Sequence, residues 1–204
     1  MRFSFLKSVS LIGFLILIQG CGFEVKSQTN QVLTPVISNK KIVEAKRFTR
    51  ANKMDTTIAI FVDMSIHSGK YRMFVWSFEL EKIINSSLCA HGSCDASFYS
   101  EEVRFSNVSE SHCSSVGKYK IGKRGYSNWG THFNYKLHGL EKTNNNAYKR
   151  VIVLHSFEQV EDTEVYPEHT MDSWGCPMVS NNTLIYLDTV LKKVKQPVLL
   201  WLYK

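Results

Sequence analysis

The stretch SWGCPMV, residues 173–179, places a cysteine on a bend between Gly175 and Pro177. A cysteine that only fills a core sits inside a strand or helix among apolar neighbours. Glycine before and proline after mark a turn with open backbone amides, where a thiolate can meet a substrate. A thiol at its ordinary pKa is scarcely ionised at neutral pH, so a nucleophilic cysteine needs a base nearby or a depressed pKa.

A base stands upstream. In VIVLHS, residues 151–156, His155 closes an apolar run that reads as a strand buried on both faces, and Ser156 follows it. A strand end is a rigid mount for a base. The loop between His155 and Cys176 is polar and can fold back to bring the two together. The N–H groups around Gly175 and Cys176 would then face an incoming carbonyl as an oxyanion hole. The spacing alone leaves chance open, because the chain holds five cysteines and seven histidines, and a lone histidine is more often structural.

Outward from this pair the text is rich in short strands. Residues 56–64 (TTIAIFVDM) and 71–80 (YRMFVWSFEL) flank SIHSGK, which has hairpin-loop composition. SSVGKYKIG and HFNYKLHG are further strands, the second alternating Phe133, Tyr135 and Leu137 on one side. SNNTLIYLDTVLKKV reads as the single clear helix, with Leu184, Leu187 and Leu191 at helical spacing, and PVLLWLY closes as a strand. The fold class expected is mainly β with few helices, a sandwich or barrel.

The N-terminal twenty residues read as a signal peptide. Arg2 and Lys7 precede the apolar run VSLIGFLILI, which is short for a membrane span. It ends in IQGC, which resembles a bacterial lipobox with Cys21 as the lipidated residue; the alternative is an ordinary signal peptide cut nearby. Residues 21–54 read as a polar tether and 55–204 as one folded domain. Without Arg2 and Lys7, 23 basic residues face 18 acidic ones. That excess suits an anionic wall polymer or a membrane surface, and no nucleic-acid motif is present.

From about Ile58 to Tyr203 the chain resembles the L,D-transpeptidase catalytic domain, in its YkuD-like murein subgroup. The landmarks occur in order: AHG (90–92), FSN (105–107), SSVGKYKIG (114–122), GLEK (139–142), NNNAYKR ending at Arg150, VIVLH, and SWGCP. The resemblance implies a β-sandwich or barrel-like catalytic domain in which Cys176 attacks a murein tetrapeptide stem. The bond cleaved lies between the third, diamino residue and the fourth-position D-alanine. A thioester forms, and an amine of a neighbouring stem resolves it as a crosslink. Carried over by residue, Cys176 is the nucleophile, His155 the general base, and Ser173 completes the catalytic set. Trp174 and Gly175 shape the oxyanion loop, with Ser156 and His91 lining the site. His91 could equally hold a turn.

Two departures stand out. Asp172 replaces the subgroup's arginine before the SWGC turn; it is expected to be partly solvated, and it would raise the thiol pKa if close. The segment YSNWGTHFNYKLHG (126–139) is about two residues longer than usual, so the loop near Tyr126 and Trp129 is expected to differ. Elsewhere, Cys94 and Cys113 are the preferred disulfide, Cys89 a buried free thiol in a strand, and a zinc cluster with His91 and His112 the lesser alternative. Glu141 and Arg150 are expected to pair. Lys192, Lys193 and Lys195 read as a solvated helix face.

The implied function is a murein L,D-transpeptidase, with no metal or cofactor, acting as a monomer on peptidoglycan stem peptides. The cell envelope is its place, membrane-held by lipid on Cys21 and facing the periplasm. An L,D-carboxypeptidase, or a hydrolase of murein–lipoprotein links, would use the same Cys/His pair with water as acceptor. A non-catalytic wall-binding lipoprotein is the reading from another class.

Overall fold

The apolar run IAIFV in β1 (Ile58–Asp63) is buried on both faces, and this organises the molecule. Ile58, Ile60 and Val62 point into the main core, while Ala59 and Phe61 point the other way, into a second one. Period-two alternation accounts for the division. A computed structural model provides the structure, which describes residues 37–96 and 103–204. The signal peptide and Cys21 lie outside the described residues.

After β1 come β2 (Met73–Ser77), β3 (Lys82–Ser87), β4 (Gly117–Tyr126), β5 (Phe133–Gly139), β6 (Val153–Ser156), the two-residue β7 (Met178–Val179) and β8 (Leu199–Tyr203). They form one eight-stranded sheet in the order β3-β2-β1-β8-β4-β5-β6-β7. β1 and β8 pair in parallel, as do β6 and β7; the other neighbours are antiparallel. The segment after β3 reaches the far edge, where Ala90 bridges Met178 with its N–H 2.7 Å from the Met178 carbonyl. The sheet thereby becomes a nearly closed barrel.

Helix α2 (Asn181–Leu191) starts at Ser180, whose hydroxyl accepts from Thr183 N–H, and it buries Leu184 and Leu187 in the main core. Helix α1 (Asn39–Ala51) takes residues 39–51 out of the segment 21–54 read as a tether, whose residues 21–36 lie outside the described residues. Ser38 caps it, and Ala45, with Ile42 and Phe48 beside it, packs over Phe61, Phe74, Trp201 and Tyr203. Its apolar stripe is thin and set among lysines and arginines, so the basic surface hides the periodicity. Glu44 of this helix pairs with Lys118 of β4 at 2.8 Å.

Three smaller differences follow from local chemistry. β3 is polar (KIINSS) because it is an edge strand, and composition conceals it. Cys89 lies just beyond that strand, still buried and free. Val151 is 62% exposed with positive φ, so the buried strand begins only at Val153.

Candidate active site

The turn before Cys176 is built by Ser173. Its N–H donates to the His91 carbonyl at 2.7 Å, and its own carbonyl accepts from Ser93 N–H at 2.9 Å. The Ser173 hydroxyl donates to the Cys176 carbonyl at 2.6 Å and accepts from Gly175 N–H at 3.1 Å. Gly175 is in the left-handed region at φ +104°, and a Cβ there would sit 2.7 Å from the Cys113 carbonyl oxygen. Conformation and space both demand glycine. Gly175 N–H, expected to face an oxyanion, donates instead to Ser173 Oγ in this structure.

The opposing wall is the segment of Cys113 and Ser114, tied to Cys94 by a disulfide. Ser114 Oγ donates to the Gly175 carbonyl at 3.3 Å and accepts from Gly92 N–H at 2.9 Å. Trp174 projects outward, 67% exposed, and stacks on His112 with ring centroids 5.3 Å apart.

Cys176 is a free thiol, half-buried, whose sulfur accepts from Val153 N–H at 3.4 Å. Burial pushes its pKa up, opposed by that N–H and by the charges of Arg150 and Lys136. His155 lies on the strand next to this turn, in register with Met178. Its pKa is lowered by burial. Its Nδ1 is 3.1 Å from the Ser156 carbonyl, and since a carbonyl only accepts, the proton is on Nδ1 and Nε2 is left unprotonated. No hydrogen bond joins the two side chains among the described residues. Both shifts favour the uncharged forms, a thiol at Cys176 and a neutral imidazole at His155. Ser156 offers its backbone carbonyl to His155 Nδ1, while its buried hydroxyl accepts from Thr131 N–H at 3.0 Å and ties down the β4–β5 hairpin.

Behind the turn lies a second set of polar groups. Arg72 is fully buried, donating from Nε to the Cys89 carbonyl (2.6 Å), from Nη1 to that of Ile66 (3.3 Å) and from Nη2 to His91 Nδ1 (2.9 Å). Burial lowers its pKa to about 10, against the opposing pull of Cys89, Asp172 and Asp63. His91 is held neutral, its pKa lowered to about 3 by burial and then by Arg72 and His169. Asp172 is only 2% exposed, with Oδ1 3.3 Å from His91 Nδ1. The expectation of a solvated Asp172 beside the thiol is therefore corrected: it is a buried counter-charge to Arg72, and the charges acting on Cys176 are Arg150 and Lys136.

Glu141 and Arg150 do not pair. Glu141 takes Lys118 at 3.0 Å. Arg150 donates to the carbonyls of Ser106 (2.9 Å) and Cys113 (2.7 Å) and to Ser115 Oγ (2.7 Å), bracing the disulfide wall near the thiol. Arg72 and Lys136 were not visible as site residues from sequence. For Lys136 the signal was its place on the polar side of an alternating strand; for Arg72 nothing local marks burial.

Residues 29–203 match the family model of the L,D-transpeptidase catalytic domain, and the chain belongs to that family, which acts on peptidoglycan stem peptides in the cell envelope. Solved structures similar to it include Bd1075 of Bdellovibrio bacteriovorus (14% identity, TM-score 0.46, covering 74% of this chain and 49% of that one). Another is the helical cell shape determining protein Pgp2 of Campylobacter jejuni (14%, 0.47, covering 72% and 48%). An L,D-transpeptidase of Xylanimonas cellulosilytica is similar at 10% identity, TM-score 0.40, covering 77% and 68%. The chain thus spans about half the length of the first two. No functionally curated protein sequence matches it.

Proposed function

We propose that this chain is a murein L,D-transpeptidase that works through a thioester on Cys176. The observation that carries the reading is the half-buried free thiol of Cys176 on a glycine-bounded turn, in register with a strand that ends in a base of fixed tautomer. His155 Nε2 takes the thiol proton as sulfur attacks the carbonyl of the diamino residue, and Cys176 N–H receives the developing oxyanion. The C–N bond to D-alanine breaks, and the amine leaves with the proton from His155. An acceptor amine then loses its proton to His155, attacks the thioester and restores the thiol. Water in the acceptor's place makes the same site a carboxypeptidase.

Cys21, as a lipidated N-terminus, would hold the domain at a membrane within the envelope. Muropeptide analysis of sacculi incubated with the purified protein tests the chemistry: new crosslinks between third residues support transfer, and trimming to tripeptides alone supports hydrolysis. Sacculi left unaltered, with no mass added to Cys176 by a penem, would exclude both. Membrane retention of Cys21→Ala would exclude the lipid anchor.

A further inference from the structure

On the sheet face that carries His155, strand alternation lines up a set of side chains. Asn134 stands opposite His155 and Lys136 opposite Val153 in the β5–β6 register, while Phe133, Tyr135, Leu137 and Leu154 turn into the core. Val153 is the residue whose N–H meets the Cys176 sulfur, so Lys136 sits one strand from the nucleophile. Lys136 is half-buried and makes no hydrogen bond or ion pair among the described residues.

Gly125 of β4 stands opposite Asn134. The position a Cβ would take there is 3.4 Å from Asn134 Oδ1 and 4.0 Å from Lys136 Cε. A side chain missing at Gly125 therefore leaves a floor flanked by those two groups. Asn134 Nδ2 is committed to the Tyr126 carbonyl at 2.6 Å, but its buried Oδ1 has no partner among the described residues. A buried acceptor without a donor is costly, which makes it a place for a ligand N–H. An acceptor and an ammonium side by side match an N–H next to a carboxylate. That pair of groups belongs to the C-terminal residue of a peptide.

We propose that Lys136 and Asn134 form a subsite for the free carboxylate and adjoining N–H of the C-terminal residue that Cys176 releases. This rests on the transpeptidase reading. It makes the enzyme selective for stems ending one residue past the scissile bond. The positive charge of Lys136 also acts on the thiol, which any substrate would feel equally.

The test uses synthetic tetrapeptide stems ending in D-alanine or in D-alaninamide, measuring release of the terminal residue. A charge-assisted hydrogen bond predicts that the wild type favours the acid by about tenfold to a hundredfold in kcat/KM. Lys136→Met is expected to erase that preference, and Lys136→Arg to keep most of it, with thermal unfolding confirming that both are folded. Equal losses on acid and amide in Lys136→Met would reduce Lys136 to a thiol charge and overturn the subsite. Wild-type turnover without discrimination overturns the subsite alone; no turnover of either peptide overturns the transpeptidase reading with it.

Discussion

Two polar regions meet at the Ser173–Cys176 turn, and burial treats them differently. Behind the turn, Arg72, His91 and Asp172 are enclosed, and all three donor nitrogens of Arg72 that bond have fixed protein partners. In front, Cys176 and His155 are half-buried, and Lys136 and Asn134 Oδ1 keep bonding capacity in reserve. Both regions hold groups with displaced pKa values. Displacement alone therefore does not mark chemistry; capacity left over for a ligand does.

The contrast breaks most sharply at Cys176. Cys176→Ser is expected to keep the fold and lose activity by about a thousandfold or more, because the hydroxyl pKa is far from what His155 can match. Retained crosslinking with an unchanged melting temperature would remove Cys176 from the mechanism. Behind the turn, the expectation is reversed. Arg72→Met strands Asp172 as a buried charge and should cost about 3–5 kcal/mol in denaturant unfolding, whereas Arg72→Met with Asp172→Asn should recover part of it. Additive losses in the double variant would show that the two do not interact.

His91 sharpens the comparison through pH. Its pKa in the folded chain is about 3, well below the ordinary histidine value of about 6.5. The unfolded chain therefore binds a proton that the folded chain refuses between those two values. Stability from this group is intact above the unfolded pKa and falls by about 1.4 kcal/mol per pH unit as the solution is acidified through that window. His91→Gln, which still offers Arg72 an acceptor, should flatten the slope by that amount; an identical acid slope in both proteins would place the proton elsewhere. The smallest effect is at Asp172. Asp172→Asn should leave the pH profile of Cys176 alkylation nearly unmoved, whereas Lys136→Met should raise the apparent thiol pKa by less than about one unit. A shift of similar size in Asp172→Asn would mean that its charge reaches the thiol after all.

Local signals were legible in the sequence and distant ones were not. Alternation and apolar runs marked most strands, and the Gly175–Pro177 bend marked the turn that carries the free thiol of Cys176. Ser173 was singled out as a member of the catalytic set; in the fold it anchors a ring of hydrogen bonds that fixes the turn, which no spacing reveals. Helix α1 escaped because Ile42, Ala45 and Phe48 are few among basic residues, and their burial depends on a sheet face supplied by β1, β2 and β8. Asp172 was misjudged for the same reason: its partner Arg72 is a hundred residues away and comes close only through the fold.

The place of β8 has a consequence for how the molecule assembles. The β3-β2-β1 meander and the β4-β5-β6 meander are each built from neighbours in sequence, and each can form on its own timescale. β8 joins them, pairing Ala59 with Leu199 on one side and Lys120 with Leu199 on the other. Loop-closure entropy makes that joining the slow event, because it links residues across most of the chain. During synthesis the two halves must therefore wait, with their central edges unpaired, for β8, which follows both in the chain. Proteins that hold unfolded chains would find their target in those two edges.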